Sequence, residues 1–217
     1  MNPALLSVHS SLHSFDSNLH HLMTLYGRQI YILLFLIIFA KTAYIIFTFL
    51  PGDATLFASG TIAAIGQIDV RILAVLFIVS TLAGDAHNFL LGHLLKKAKL
   101  KQRRFSITRL IPDRSLVKAS QFLAKYGKLS IMFSRFIPLL SATVPFVSGL
   151  TGYRFKQFFL YNLAGAIIWS LLWVFAGYGL GNISWVANHL SITLILITVA
   201  TLLPAISAFV VKIVKHT

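Results

Sequence analysis

Four charged side chains interrupt long apolar stretches of this chain: Lys41, Asp53, Asp85 and Arg135. A charge at that depth is costly in lipid, so it faces a protein interior or a water-filled cavity and marks a path for ions or charged groups. Arg135 carries planar, paired donors that match the oxygens of a phosphate. Lys41 is a second cation for the same ligand if it faces the same cavity, and Asp53 and Asp85 are candidates for carrying protons, gating the path or serving as counter-ions. Each also has a plainer reading. An aspartate after Pro51-Gly52 is an ordinary helix start, Arg135 can hold segments together as an ion pair, and Asp85 can brace a helix as readily as it can form a relay with His87.

The elements that must position these groups are unusual. Residues 132–149 form an apolar run with one arginine and two prolines, Pro138 and Pro145. A continuous membrane helix gains nothing from such a pattern. Backbone freed from its helix bonds must be buried in protein or line a cavity, so residues 129–150 are expected to form a re-entrant, broken segment. Residues 50–66 form its counterpart around Pro51 and Gly52, with Pro51, Gly52, Pro138, Pro145 and Gly149 as hinges. Half-helix N-termini after Pro51-Gly52 and after Pro138 add oriented N–H groups suited to an anion. Two such segments entering from opposite faces and meeting near the midplane resemble the inverted-repeat plan of secondary transporters, although they share no obvious sequence repeat.

Composition sets the class. The chain is 57% hydrophobic and 11% charged, with a mean hydropathy of +0.82, whereas a soluble domain carries about 25% charge. The expected fold is an all-α multi-pass membrane protein. It has an N-terminal amphipathic interfacial helix over residues 1–27 and one membrane domain over 28–217. Leu5, Val8, Leu12, Phe15, Leu19, Leu22 and Tyr26 make one apolar stripe on that first helix, and His9, His13, His20 and His21 lie on its polar face. Residues 30–50, 72–95, 153–180 and 192–211 are the expected spans, long enough for a core of about 30 Å. Eleven of the nineteen basic residues fall in residues 96–128. Lysine and arginine beside spans accumulate on the cytoplasmic side, which puts this loop and both termini inside. The same loop suits anionic lipid headgroups better than nucleic acid. The chain has no cysteine and no glutamate, and it contains no HExxH pattern or Ser/His pairing at catalytic spacing. No enzyme, metal or cofactor is expected.

Several short motifs occur in order along the chain: Phe49-Leu-Pro-Gly-Asp53 with Gly60; Gly84-Asp85 with Gly92; Arg135-Phe-Ile-Pro138 with Pro145-Phe-Val-Ser-Gly149; and Phe158, Phe159, Asn162, Gly165-Ala166 and Trp169. This set resembles the DedA family of bacterial inner-membrane proteins over residues 35–182. The resemblance implies two opposed re-entrant helices and the handling of a lipid carrier, undecaprenyl phosphate or another phospholipid, in dependence on the proton motive force and in support of envelope integrity. The expected partners are therefore anionic lipids or a polyprenyl phosphate, with a homo-oligomer compatible. The chain departs from the family at two positions. Lys41 stands where many members have glutamate, and Ser141 where they have a second arginine; an acid and a base lost together would suit a former pair. The competing readings are a proton-driven transporter of a small solute or ion and a non-transporting envelope factor. A cavity open to lipid or only to water separates the first from the lipid reading, and charge-neutral substitutions separate the second.

Overall fold

A computed structural model describes residues 29–100 except 48, 49, 65 and 67, residues 113–184 except 138 and 139, and positions 186, 189, 192 and 193. The expected N-terminal helix, Pro138, residues 101–112 of the basic loop and nearly all of the span at 192–211 lie outside the described residues. Among the described residues there is no strand. Seven α-helices follow one another: α1 (Gln29–Ala43), α2 (Gly52–Ala64), α3 (Val70–Leu100), α4 (Asp113–Tyr126), α5 (Leu129–Phe133), α6 (Leu140–Thr151) and α7 (Phe155–Gly181). Among the described residues, only α3 and α7 are long and apolar enough to cross a membrane; at 1.5 Å per residue they measure about 46 and 40 Å.

The span expected at 30–50 stops short. Helix α1 ends at Ala43 and passes into a 3-10 turn at Ile45–Phe47, so its 15 residues reach only about 22 Å. Beyond that turn, Pro51 has no N–H to donate and disfavours helical backbone at Leu50, which sets the break before α2. The same sequence of events recurs later. Helix α5 passes into a 3-10 turn at Ser134–Phe136, then Ile137, the residue before Pro138, swings to φ −115° and ψ 114°, the extended conformation that a following proline imposes. The Ile137 carbonyl then accepts from the backbone N–H of Leu140 and Ser141 at 3.1 and 3.3 Å, starting α6. Helices α2 and α6, with 13 and 12 residues, are each too short to cross a core of about 30 Å. Pro145 and Gly149, two of the expected hinges, lie inside the continuous helix α6. Helix α6 ends instead at Gly152, with φ +87°, where the N–H groups of Gly152 and Tyr153 close onto Gly149 and Ser148 in the manner of a Schellman cap.

The chain forms two compact units. One includes Asp53–Leu73 and the chain from Trp173; the other is Phe35–Gly52 with Ala74–Leu172. Each contains the same helix crossing. In the first, Gly60 of α2 abuts the Val174 carbonyl of α7, and Gly177 of α7 abuts the Phe57 carbonyl of α2. In the second, Gly92 of α3 abuts the Phe146 carbonyl of α6, and Gly149 of α6 abuts the Phe89 carbonyl of α3. Small residues let membrane helices approach backbone to backbone. The short helices share a sequence signature, Phe57-Ala-Ser-Gly60 and Phe146-Val-Ser-Gly149, and each serine donates to the carbonyl four residues back, at 2.8 and 2.7 Å. Phe47 and Phe136, which end the two 3-10 turns, precede Gly60 and Gly149 by the same interval. A repeat is therefore present, although it is too sparse to stand out in the sequence.

The basic loop also contains structure. Helix α4 buries Ala119 and Leu123 with Ile131, Leu140, Val144, Val147 and Phe158, and it packs along α6. The outer faces elsewhere are apolar: Ile32 and Leu36 on α1, Val75 and Val79 on α3, and Leu160, Ile168 and Leu172 on α7 are all exposed. Thr81, Asp85, Asn88, Asn162 and Ser170 are buried. Apolar outside and polar inside suits lipid as the solvent.

The glycine crossings give a direct test. A Cβ at Gly149 or Gly60 meets backbone, which cannot move aside as a side chain can, while one at Gly179 meets nothing. Gly149→Ala and Gly60→Ala should each lose about 1–3 kcal/mol in thermal unfolding in detergent, and Gly179→Ala should melt with the parent. Equal melting of all three would remove the close crossing from the fold.

Candidate functional site

Arg135 is delivered to the interior by the broken segment, in the 3-10 turn immediately before the break at Ile137. It is 8% exposed, and Asp85, in the middle of α3, is wholly buried. Arg135 Nη2 donates to Asp85 Oδ2 and to Asn162 Oδ1 of α7 at 2.5 Å. A guanidinium out of water needs a counter-charge and acceptors on its N–H groups. Asp85 and Asn162 supply both from two different helices. Gly165, one turn beyond Asn162, leaves room for the guanidinium: a Cβ there would lie 3.2 Å from Arg135 Nε.

The cluster is incompletely satisfied. Asp85 Oδ1, Arg135 Nε and Asn162 Nδ2 are buried without a hydrogen-bond partner, as is the hydroxyl of Thr81, one turn before Asp85 on α3. Beside Arg135 lies a cavity lined by Lys41, Thr42, Arg135, Ser141, Ala142 and Trp169, with a volume of about 10 Å³, room for a single water molecule. Lys41, in the last turn of α1, has its ammonium 5.3 Å from the centre of the Trp169 ring, within cation–π range. Its stem lies against Gly52, where a Cβ would collide with it. The charge of Lys41 also reaches Asp85. Lys41 and Ser141 thus line one cavity.

Asn88 holds this arrangement closed. Its amide donates to the Thr42 carbonyl of α1 at 3.1 Å and to the Ala142 carbonyl of α6 at 2.6 Å, tying the end of one segment to the start of another. Beside it, Pro145 has no N–H to offer the carbonyl of Ser141, four residues earlier. Ser141 is among the residues that line the cavity.

The sequence-derived residues divide accordingly. Arg135, Asp85 and Lys41 come together in one unit. His87, two residues from Asp85, points elsewhere, against the rings of Phe39 and Tyr44 at 6.1 and 5.3 Å, and forms no relay with it. Asp53 belongs to the other unit, half-buried in the first turn of α2, where the helix dipole favours a carboxylate. Pro51 is exposed and Gly52 buried at the break. Asn162 and Asn88 carry most of the hydrogen bonding, yet sequence reasoning assigned neither a role. The available signal was an amide isolated in the apolar run of α7, and another one turn beyond Asp85.

Comparison with known proteins places this geometry. The model of the VTT domain matches residues 50–179. The chain is similar to protein DedA of Escherichia coli, 34% identical over 204 residues that cover 93% of this chain and 90% of that protein. It is similar also to an uncharacterized membrane protein of Mycobacterium leprae, 30% identical over 79% of this chain and 76% of the relative. The E. coli inner membrane protein YqjA is 26% identical, over 71% of this chain and 69% of that protein. No solved structure matches.

The ion pair makes a stability prediction. Asp85→Asn or Arg135→Gln alone strands one buried charge and should lose about 3–5 kcal/mol, read by unfolding in detergent. The double variant Asp85→Asn/Arg135→Gln strands neither charge and should lose clearly less than the sum of the two. Additive losses would mean that the contact contributes nothing as a pair.

Proposed function

This chain belongs to the DedA family of VTT-domain membrane proteins, and from that premise we propose that it translocates a lipid-linked phosphate across the bacterial inner membrane. The substrate is a carrier such as undecaprenyl phosphate or a phospholipid. The observation that carries the reading is Arg135. A guanidinium at a helix break, buried against Asp85 and Asn162 and lining a cavity with Lys41, is a built cation site in an apolar interior. Such a site replaces water around a phosphate as it crosses. Nothing in a purely structural ion pair calls for a second cation lining the same cavity.

The rest of the proposal follows membrane logic. Helices α2 and α6 are re-entrant, since each follows a break and neither is long enough to cross. The paired glycine crossings fit two related segments. Residues 96–128 lie on the cytoplasmic side with both termini. Lys118, Lys125 and Lys128 are exposed there, beside anionic headgroups. Lys41 provides the second cation from α1, in place of the arginine that the family carries on α6 at position 141. Asp53, at the other break, is a gating or proton-carrying group. The protein is a transporter rather than an enzyme.

Reconstituted liposomes carrying a labelled polyprenyl phosphate test this reading. The unaltered protein should move the label to the opposite leaflet, Arg135→Ala should slow movement at least about 100-fold, and Lys41→Ala about 10-fold, matching losses of about 3 and 1.4 kcal/mol of transition-state stabilisation. Asp53→Asn should also slow movement. Rates no better than empty liposomes, or an unaffected Arg135→Ala variant that is folded, would sink the proposal and favour a small ion or a non-transporting role.

A further inference from the structure

Arg135 already has a counter-ion in Asp85. Its Nη2 serves both Asp85 and Asn162, and its Nε faces the backbone of Gly165. An anion that enters the cavity and takes the guanidinium as its counter-ion competes with Asp85 for that one positive charge. The displaced carboxylate would then be a buried charge without its counter-ion, a state that proteins avoid by neutralising the group. One oxygen of Asp85, Oδ1, has no donor as it stands, so a proton can add there without breaking an existing bond.

We propose that Asp85 is the proton site of this protein, and that an anionic phosphate headgroup binds Arg135 in exchange for protonation of Asp85. The inference rests on the lipid-phosphate reading of the same cavity. The step balances in charge. Before it, Arg135 pairs with the Asp85 carboxylate; after it, Arg135 pairs with one negative charge of the phosphate and Asp85 is a neutral acid carrying a proton taken from water. The buried site keeps the same net charge throughout, and one proton accompanies each headgroup charge. Asn162 is the positioning residue. Its Oδ1 holds the guanidinium in both states, and its unpartnered Nδ2 is a donor available to the neutral acid or to the phosphate.

Few other groups compete for this role. The broken segment brings Arg135, and α1 brings Lys41, whose charge reaches Asp85. Helix α7 contributes the neutral Asn162, and α6 has no titratable side chain. On α3 itself, His87 lies against Phe39 and Tyr44.

The test is binding to the purified full-length protein in detergent, between about pH 5 and pH 9. Two probes keep a fixed single charge over that range: dihexanoyl phosphatidylglycerol, and dimethyl phosphate, the same diester without tails. Calorimetry in two buffers of different ionisation heat counts the protons. The unaltered protein should take up one proton for each lipid bound, with affinity falling about tenfold per pH unit on the alkaline side. Asp85→Asn should bind with no proton uptake and no pH dependence, Arg135→Ala should not bind, and Lys41→Ala should bind more weakly with the count still at one. The count in the unaltered protein stands even if a variant fails to fold. No proton uptake in the unaltered protein, uptake that persists in Asp85→Asn, or uptake lost in Lys41→Ala would overturn the assignment. Proton-linked binding of dimethyl phosphate and lipid alike, in liposomes that move no lipid, would keep the exchange for a small anion and end the lipid reading. Lipid movement with proton-free binding would do the reverse.

Discussion

The pair of Arg135 and Asp85 sets the terms for everything around it. A guanidinium in an apolar interior persists only if its charge and its N–H groups are met, and here the partners come from the middle of α3 and the first half of α7. The turn that carries Arg135 must therefore sit between two long helices, and those helices must approach closely enough for one nitrogen to reach both. Gly165 opens the space on α7, while Gly84 lets α3 approach α1 at Phe39 and Thr42. Satisfaction at the centre is still partial, with one oxygen of Asp85 and one nitrogen each of Arg135 and Asn162 unpartnered. Native interiors leave few such groups. Finding three on one contact marks a place where structure has been kept open to a proton or a ligand.

The broken segments solve a related problem. A helix interrupted in lipid exposes backbone groups that nothing outside can satisfy. In this chain the Ile137 carbonyl caps α6, and Asn88 takes the carbonyls of Thr42 and Ala142. Lys96 donates to the Thr151 carbonyl at the far end of α6 at 3.3 Å. The paired glycines then bring each short helix onto a long one from the other half of the sequence: α2 on α7 and α6 on α3. This exchange makes each half's broken segment depend on the other half's spanning helix for its burial.

Those physical facts decide what could be read from the sequence. The class was legible because composition reports the solvent, and both breaks were legible because proline acts on its own neighbours. Arg135 and Asp85 stood out as charges in apolar runs. Their pairing was not legible, since it joins residues 50 positions apart through helix faces that periodicity alone does not register. The end of α1 was misjudged for a similar reason: apolar composition runs on to Leu50, but hydropathy does not report that the helix gives way to a 3-10 turn at Ile45–Phe47. The repeat was overlooked because what it conserves is backbone contact, which needs only a glycine, a serine and a phenylalanine at matching places. Helix α4 was hidden by its lysines, although Leu116, Ala119 and Leu123 already kept helical spacing.

Cavity size brings these points together. A space of about 10 Å³ admits a water molecule and not a phosphate, so on the proposed reading the described conformation is closed, and loading requires its walls to part. The walls are the end of α1, the turn at Arg135, the start of α6 and a face of α7. Two of them, α1 and α6, are joined by the amide of Asn88, and two, the turn and α7, by Arg135 and Asn162. The first link is between neutral groups and joins two helix ends. The second involves a charge in an apolar interior, and giving it up without a substitute costs far more. Opening therefore falls most easily between α1 and α6, where Lys41 and Ser141 stand on opposite walls, and it leaves Arg135 anchored to α7 to receive what enters. Lysine and serine at these two positions form no ion pair with each other, and on the proposed reading the Asn88 amide is a contact that must release for the seam to open.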